Sequence, residues 1–368
     1  MSLKDLMAAF LPSLRSGYRF LLPTVALALA GYLSPAQAAH ERPWLADTAQ
    51  GAIVQTIPLP GQAQWRQALT MPDGSVILLR DQDAQEKTAF LARLGPGADT
   101  VTSLVPDWSG IGTARKSAEG VARDAFTPVA LAHDEKGALW VVDEGADRKS
   151  ARLLQLDPQT GKVLAVIPLP AEAVTPTSRF TALALHNDTA YLADEGGIAL
   201  TVVDLRRHAA TRFFAGYPSA RGHSPLIVDN QVVQGKDGHP LTRDIAYLAL
   251  ENDGAWLYEL APTGPIYRLS TALLTDPSVT PAELMEGVTQ WRGTPTVGGL
   301  TIDNKATLYL TDVTRGRLLS FDTGRHPHVL LVSPLLVQAG IPGWAPDTRG
   351  AGQIYVPAGH SLLRIALP

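Results

Sequence analysis

The sequence predicts an all-β fold, specifically a six-bladed β-propeller. The first observation is a repeat along its 368 residues: an apolar strand, a polar turn and a second apolar strand recur six times. The second strands read ILLRD (77–81), LWVVD (139–143), YLAD (191–194), WLYE (256–259), LYLTD (308–312) and IYVPA (354–358). Units of roughly 50 residues that each contain several strands are typical of propeller blades.

The second observation is the chemistry of the turns before these strands. They read MPDGS (71–75), DEKGA (134–138), HNDTA (186–190), ENDGA (251–255) and DNKAT (303–307). Asn, Asp and Gly tolerate the positive φ that tight hairpins require. Further apolar strands follow, such as RLLQLD at 152–157 and KVLAVIPLP at 162–170. Four antiparallel strands make one propeller blade, so each repeat has the content of a blade.

The third observation concerns closure of the ring. IVQTIPLP at 53–60 repeats VLAVIPLP at 163–170, which is an outer strand, yet it precedes any inner strand. The C-terminal segment HSLLRIAL at 360–367 has no outer strand after it. We therefore predict that residues 53–60 complete the C-terminal blade, which closes the ring and removes free sheet edges.

Two insertions interrupt the repeat, at about 215–242 and 271–296. The second contains TPAELMEGV, in which Thr280 is a helix N-cap and Glu283 follows three residues later. This spacing is a capping box, so we expect a short helix there.

The first 38 residues are typical of a cleaved secretory signal peptide. Basic residues precede the apolar run 20–33, and Ala-Gln-Ala at 36–38 matches the small-x-small cleavage pattern. An uncleaved membrane anchor is the alternative, but the run is short for a span and contains Pro23. We predict a secreted or periplasmic protein with one domain at 39–368 and no membrane attachment after cleavage.

The composition excludes several classes of partner and site. The formal net charge is −4 and basic residues do not cluster, so nucleic acid is not an expected partner. The chain has no Cys, which excludes disulfides and thiolate metal sites. No cofactor is predicted. The oligomeric state is open.

We predict a small-molecule site at one mouth of the central channel. The second strand of a blade returns to the face where the inner strand begins, so inner-strand starts and second-strand ends share that face. The inner strands are expected to start near Arg66-Gln67, Thr127-Pro128, Arg179 to Thr181, Asp244 to Tyr247, Val297-Gly298 and Pro346-Asp347. The candidate ligand-binding residues are Gln67, Glu144, Arg179, Thr181, Glu195, Trp344 and Asp347.

Several residues near this mouth have a structural role as the alternative to ligand binding. Asp143, Asp194 and Asp312 end second strands, where a carboxylate accepts hydrogen bonds from the following turn, so we expect them to be structural. Glu144 and Glu195 follow two of these strands, and solvated loop residues are the alternative. For Trp344 the alternative to walling a pocket for a flat ligand is packing. For Asp347 we expect a position at a strand start that points toward the axis.

Several stretches together resemble the major royal jelly/yellow protein family, in particular its bacterial members. They are FTPVALAHDEKGALWVVDEG (126–145), KVLAVIPLP (162–170), YRLSTALLTD (267–276), GGLTIDNKATLYLTD (298–312) and GWAPDT (343–348). The resemblance implies a six-bladed propeller, secretion and a ligand pocket at one channel mouth. Insect members are linked to dopachrome conversion and salivary members bind biogenic amines, so it also implies a small aromatic or amine ligand.

The chain departs from the family pattern in three respects. It lacks the cysteines of the insect proteins, so their disulfides do not carry over. Gly298 stands where the family often has Asp at an inner-strand start, and Asp244 is displaced from its usual position. Asp347 alone keeps the Pro-Asp form.

Two other functions fit a six-bladed propeller. A metal-dependent lactonase of the gluconolactonase type would need carboxylate and amide oxygens at several inner-strand starts. Asn187, Asn252 and Asn304 instead fall in hairpin turns on the opposite face, which disfavours calcium. The third hypothesis is a protein-binding propeller without chemistry. Whether the protein is an enzyme stays open; a reaction would be tautomerase-like or lactonase-like.

Overall fold

The computed structural model describes residues 53–81, 90–110, 126–145, 150–346 and 352–367. The predicted signal peptide and the candidate Asp347 lie outside these ranges. Within them, none of the helices has the length and apolar character needed to cross a membrane.

Six antiparallel sheets of four strands each confirm the predicted six-bladed propeller. Blade 1 contains β2 (Trp65–Thr70), β3 (Val76–Arg80), β4 (Leu91–Leu94) and β5 (Val101–Leu104). Blade 2 contains β6 (Pro128–His133), β7 (Leu139–Asp143), β8 (Arg152–Leu156) and β9 (Val163–Pro168). Blade 3 contains β10 (Phe180–His186), β11 (Thr189–Asp194), β12 (Ala199–Asp204) and β13 (Ala209–Phe213).

The other three blades follow the same plan. Blade 4 contains β16 (Tyr247–Leu250), β17 (Trp256–Leu260), β18 (Ile266–Ser270) and β19 (Thr289–Arg292). Blade 5 contains β20 (Val297–Ile302), β21 (Leu308–Asp312), β22 (Arg317–Phe321) and β23 (Pro327–Val332). Blade 6 contains β24 (Gly343–Ala345), β25 (Gln353–Ala358), β26 (Ser361–Ala366) and β1 (Ile53–Pro58).

Blade 6 confirms the predicted closure. Strand β1 pairs antiparallel with β26, from Ile53 opposite Ala366 to Pro58 opposite Ser361. Ile57 is 1% exposed and packs in one core cluster with Trp65 of blade 1. The N-terminal strand therefore supplies the outer edge of the last blade and is bonded into its sheet.

The core lies between neighbouring blades. All five residues of β7 are buried, as are those of β3, because each blade packs against a neighbour on both faces. One cluster joins Val142 and Leu153 of blade 2 to Leu192 of blade 3. This explains why the second strands read as continuous apolar runs instead of alternating ones.

The insertions carry the remaining elements. A hairpin of β14 (Ile227–Val228) and β15 (Gln231–Val232) lies in the first insertion. Helices α1 (Thr271–Thr275) and α2 (Pro281–Gly287) lie in the second, and the predicted capping box joins Thr280 and Glu283. Short 3₁₀ helices span Trp108–Gly110, Ala171–Ala173, Pro218–Ala220 and Pro334–Gln338.

The inner strand of blade 6 begins earlier than the predicted Pro346-Asp347. Gly343 pairs with Tyr355, and Ala339 bridges Ala358, the last residue of β25. In an antiparallel pair the start of one strand faces the end of the other, so the strand starts near Ala339. The early start follows from contact with blade 1, where the Ile341 N–H donates to the Arg66 carbonyl oxygen at 2.7 Å.

Candidate ligand-binding site

β-Bulges shape the starts of four inner strands. The register shifts between Trp65 and Gln67, between Pro128 and Ala130, between Phe180 and Ala182, and between Val297 and Gly299. The residues inside these shifts are Arg66, Val129, Thr181 and Gly298. A bulge leaves one residue out of the ladder and re-aims its side chain. The same kind of bulge thus places Arg66 of blade 1 and Thr181 of blade 3 at the channel mouth.

Glycine is required at Gly298 by close contact with blade 6. A Cβ at this position would lie 1.9 Å from the Ala339 carbonyl oxygen, and one at Gly340 would lie 2.2 Å from that of Arg66. Neither position has room for a side chain. The close approach of the inner strands of blades 5 and 6 therefore requires glycine at position 298.

A cavity of about 470 Å³ opens at this mouth, which we call the strand-start mouth. Its charged, phenolic and hydroxyl side chains include those of Arg66, Asp81, Thr181, Arg243 and Tyr247. Its apolar lining comes from Leu226, Val228, Pro262, Val297, Val313, Val337, Ala339 and Ile341. Apolar walls with a few convergent polar groups are the usual character of a small-molecule site.

Glu195 is buried beneath this mouth between two arginines. Arg243 donates from Nε and Nη2 to its two carboxylate oxygens at 2.6 and 2.9 Å, a bidentate pair. Arg179 Nη2 lies 3.0 Å from Glu195 Oε2. Burial alone would lower the pKa of Arg243, but the hydrogen bonds to Glu195 outweigh it and raise that pKa. Arg243 is therefore held as a cation.

Glu144 links blade 2 to blade 3. Its Oε1 accepts from the Phe180 N–H at 3.0 Å, and its own N–H donates to the Thr127 carbonyl at 3.0 Å. Glu144 is 2% exposed and Glu195 is 4% exposed, so neither is a solvated loop residue. Each carboxylate reaches from the end of a second strand to the start of the next inner strand.

Arg66 is the third guanidinium at the mouth. Its Nη2 donates to the Val129 carbonyl, and its Nε lies 3.7 Å from Asp81 Oδ1. Burial lowers the pKa of Arg66; the charges of Asp81 and Glu144 oppose this effect, whereas that of Arg243 adds to it. Arg66 and Arg243 are thus two like charges that act on each other across one cavity.

Tyr247 completes the polar lining from the start of β16. It is 8% exposed, and burial raises the pKa of its phenol although the positive charge of Arg243 opposes the shift. The phenol therefore stays protonated at neutral pH and can donate a hydrogen bond. The Thr181 hydroxyl has no hydrogen-bond partner among the residues that the structure describes.

Two predicted candidates lie elsewhere in the channel. Gln67 is buried and its side-chain amide pairs with the backbone of Leu131, donating at 2.9 Å and accepting at 3.0 Å. Both Gln67 and Trp344 line a second cavity, of about 520 Å³, at the opposite mouth. Hairpin turns surround that mouth, and Asn252 and Asn304 line it, on the face where the sequence places them.

The strand-end aspartates have the structural role expected of them. Asp143 Oδ1 accepts from Thr127 N and Gly145 N, and its Oδ2 accepts from Arg152 Nε at 2.7 Å. Asp194 and Asp312 accept from the turns after them in the same way. Asp143, Asp194 and Asp312 are fully buried, so they are unavailable to a ligand.

The structure therefore brings Glu144, Arg179, Thr181 and Glu195 to the strand-start mouth and adds Arg66, Asp81, Arg243 and Tyr247. Asp81 carries a sequence signal, since it ends a second strand as Asp143 does. Arg243 carries one as well, since it directly precedes the expected inner-strand start at Asp244 to Tyr247. Groups of three or more potential metal-ligating His, Cys, Asp or Glu are absent from the described ranges.

The fold and this mouth define a six-bladed propeller with a polar cavity at one end of its channel. The chain belongs to the major royal jelly protein family, whose model matches residues 126–328, more than half of its length. The match covers blades 2 to 4 and most of blade 5. None of the curated proteins matches the sequence.

Solved structures of other propellers are similar in fold. Virginiamycin B lyase from Staphylococcus aureus has 11% identity and a TM-score of 0.52, covering 86% of this chain and 100% of its own. A gluconolactonase from Xanthomonas campestris has 14% identity and a TM-score of 0.51, covering 87% of this chain and 91% of its own. Likeness at these identities shows the shared propeller fold alone.

Proposed function

We propose that the protein binds a small organic ligand, aromatic or amine in character, at the strand-start mouth. The observation that carries this proposal is the cavity itself, in which side chains from different blades converge between apolar walls. Its volume of about 470 Å³ lies within the usual range for small-molecule sites. Binding does not require a reaction, and we propose none.

The lining suits such a ligand in two ways. Leu226, Val228 and Val313 offer apolar surface for a flat or aliphatic body. The Asp81 side chain is 51% exposed and is the carboxylate at the rim that an ammonium group can reach. The family resemblance supports the same ligand class.

Ligand binding is testable by thermal shift with a panel of catechols, indoles and aromatic amines. We expect at least one compound to raise the melting temperature in a concentration-dependent way, because a ligand that binds only the folded state stabilises it. The site is located by blocking each mouth in turn. Gln338 is exposed at the strand-start mouth and Glu135 is 65% exposed at the opposite one.

The two blocked variants are matched controls for each other. Gln338→Trp should abolish the shift, since an indole would occupy the cavity, whereas Glu135→Trp should leave it intact. If Glu135→Trp alone abolishes the shift, the ligand binds at the opposite mouth. If neither this panel nor an aromatic acid shifts the wild-type protein, the small-molecule proposal fails.

We also propose export, with cleavage after Ala38. The support is the basic start, the short apolar run and the Ala-Gln-Ala pattern at 36–38. N-terminal sequencing of the protein recovered outside the cytoplasm should begin at Ala39. A full-length chain retained in the membrane fraction would contradict the proposal and support the anchor.

A further inference from the structure

We propose that the ligand at the strand-start mouth carries a carboxylate, which Arg66 and Arg243 bind. This inference rests on the proposed ligand site and specifies its chemistry. The carboxylate is the end of the ligand that enters the cavity. The apolar body of the ligand is the one described under the proposed function.

The charged groups at the strand-start mouth differ in how far a ligand can reach them. The Arg66 and Arg243 side chains are 32% and 35% exposed, whereas that of Glu195 is 3% exposed. Both oxygens of Glu195 are engaged by Arg243 and Arg179, and Oε1 of Glu144 accepts from a backbone N–H. Glu195 and Glu144 are thus committed to the protein, and the Arg66 and Arg243 guanidinium groups face the cavity together with the Asp81 carboxylate at its rim.

Arg66 also lacks a strong acceptor, whereas one edge of Arg243 is paired with Glu195. The described contacts of Arg66 are one backbone carbonyl and Asp81, whose nearest oxygen is 3.7 Å from Nε and beyond hydrogen-bond distance. Arg243 acts on Arg66 as a like charge, and burial strengthens that repulsion. An anion between them would relieve the repulsion and accept hydrogen bonds from both.

The phenol of Tyr247 matches the same ligand. Tyr247 is a protonated phenol beside Arg243. It is able to donate, and a carboxylate has lone pairs for several donors. A planar carboxylate also fits the fork of an arginine better than a single hydroxyl does.

The test uses three compounds of one shape: 3-phenylpropionate, 3-phenylpropan-1-ol and 3-phenylpropylamine. Isothermal titration calorimetry of the whole mature protein should give the acid an affinity at least about tenfold above that of the alcohol, since hydrogen bonds to charged groups are the stronger ones. The comparison holds the apolar body constant, so the difference reports the end group.

A variant pair assigns the effect to Arg66. Arg66→Met should weaken binding of the acid about tenfold or more and leave the alcohol within about twofold. Arg66→Lys should restore part of the loss by returning the charge without the fork. Arg206 is 78% exposed and its described ion pair is with Asp188, so Arg206→Met is the matched control and should change neither compound.

Each outcome decides between the proposals. Preference for the acid that depends on Arg66 supports the carboxylate site. Binding of the amine without the acid, still abolished by Gln338→Trp, leaves the ligand site standing and overturns the carboxylate. Equal affinities for acid and alcohol also overturn it. Circular dichroism of each variant excludes misfolding as the cause.

Discussion

Replacement of Arg152 by methionine should destabilise the protein by about 3–5 kcal/mol. Arg152 Nε donates to Asp143 Oδ2 at 2.7 Å, and the two side chains are 3% and 0% exposed. Methionine fills much of the same space but leaves the Asp143 carboxylate buried without its counter-charge. Removing one partner of a buried ion pair costs far more than an exposed pair contributes, because the remaining charge keeps its desolvation penalty.

Urea unfolding at neutral pH measures this effect, with Arg206→Met as the control. Arg206 pairs with Asp188 at the surface, where ion pairs contribute about 0–1 kcal/mol. Asp143→Asn in the Arg152→Met background should recover part of the loss, since it removes the orphaned charge. If Arg152→Met costs no more than Arg206→Met, the buried pair does not hold the end of β7.

The second large effect concerns Glu259 on β17. Its side chain is fully buried, and neither carboxyl oxygen has a hydrogen-bond partner among the described residues. Burial raises the pKa of Glu259 to about 7, and the nearby Ser219 hydroxyl offsets only part of the shift. The unfolded-state pKa is the ordinary 4.5, so the folded protein binds the proton more tightly.

This difference makes stability fall as pH rises. The contribution is fully present below pH 4.5, is lost as the pH rises toward 7, and amounts to about 3 kcal/mol. Glu259→Gln mimics the neutral acid, so we expect it to be about 3 kcal/mol more stable than the wild type at pH 8.5 and similar at pH 4.5. Urea unfolding at both pH values measures the difference.

Two further variants separate charge from packing at this position. Glu259→Met removes the titrating group without adding amide donors and should likewise flatten the pH dependence. Glu172 is exposed on a 3₁₀ helix, and Glu172→Gln should retain the wild-type dependence. A wild-type pH profile that persists in both Glu259 variants would show that the buried carboxyl is not its source.

The sequence predicts the fold well because the blades repeat the same local physics. Buried second strands, turn residues with positive φ and the echo between 53–60 and 163–170 each follow from packing between neighbouring blades. The errors occur where this regularity ends. In blade 6 the inner strand is short and its register is set by contact with Arg66, which no local pattern reveals.

The candidate site is only partly predictable for a related reason. Glu144 and Thr181 stand at repeated positions, so the repeat places them near the mouth. Arg243 also stands beside an expected inner-strand start, but its bidentate pairing with Glu195 is a tertiary contact that no local pattern reveals. At Glu259 the local pattern is misleading. In the sequence Glu259 resembles the strand-end acid Asp143, but β17 continues to Leu260 and the Glu259 side chain is buried in the core.

A crystal structure of the protein with 3-phenylpropionate would show directly whether Arg66 and Arg243 bind a carboxylate. We predict the carboxylate within hydrogen-bond distance of both Arg66 and Arg243, and the phenyl ring against the apolar wall that includes Val228 and Val313. A ligand seated at the opposite mouth beside Trp344, or one whose carboxylate points away from both arginines, would contradict the proposed carboxylate site.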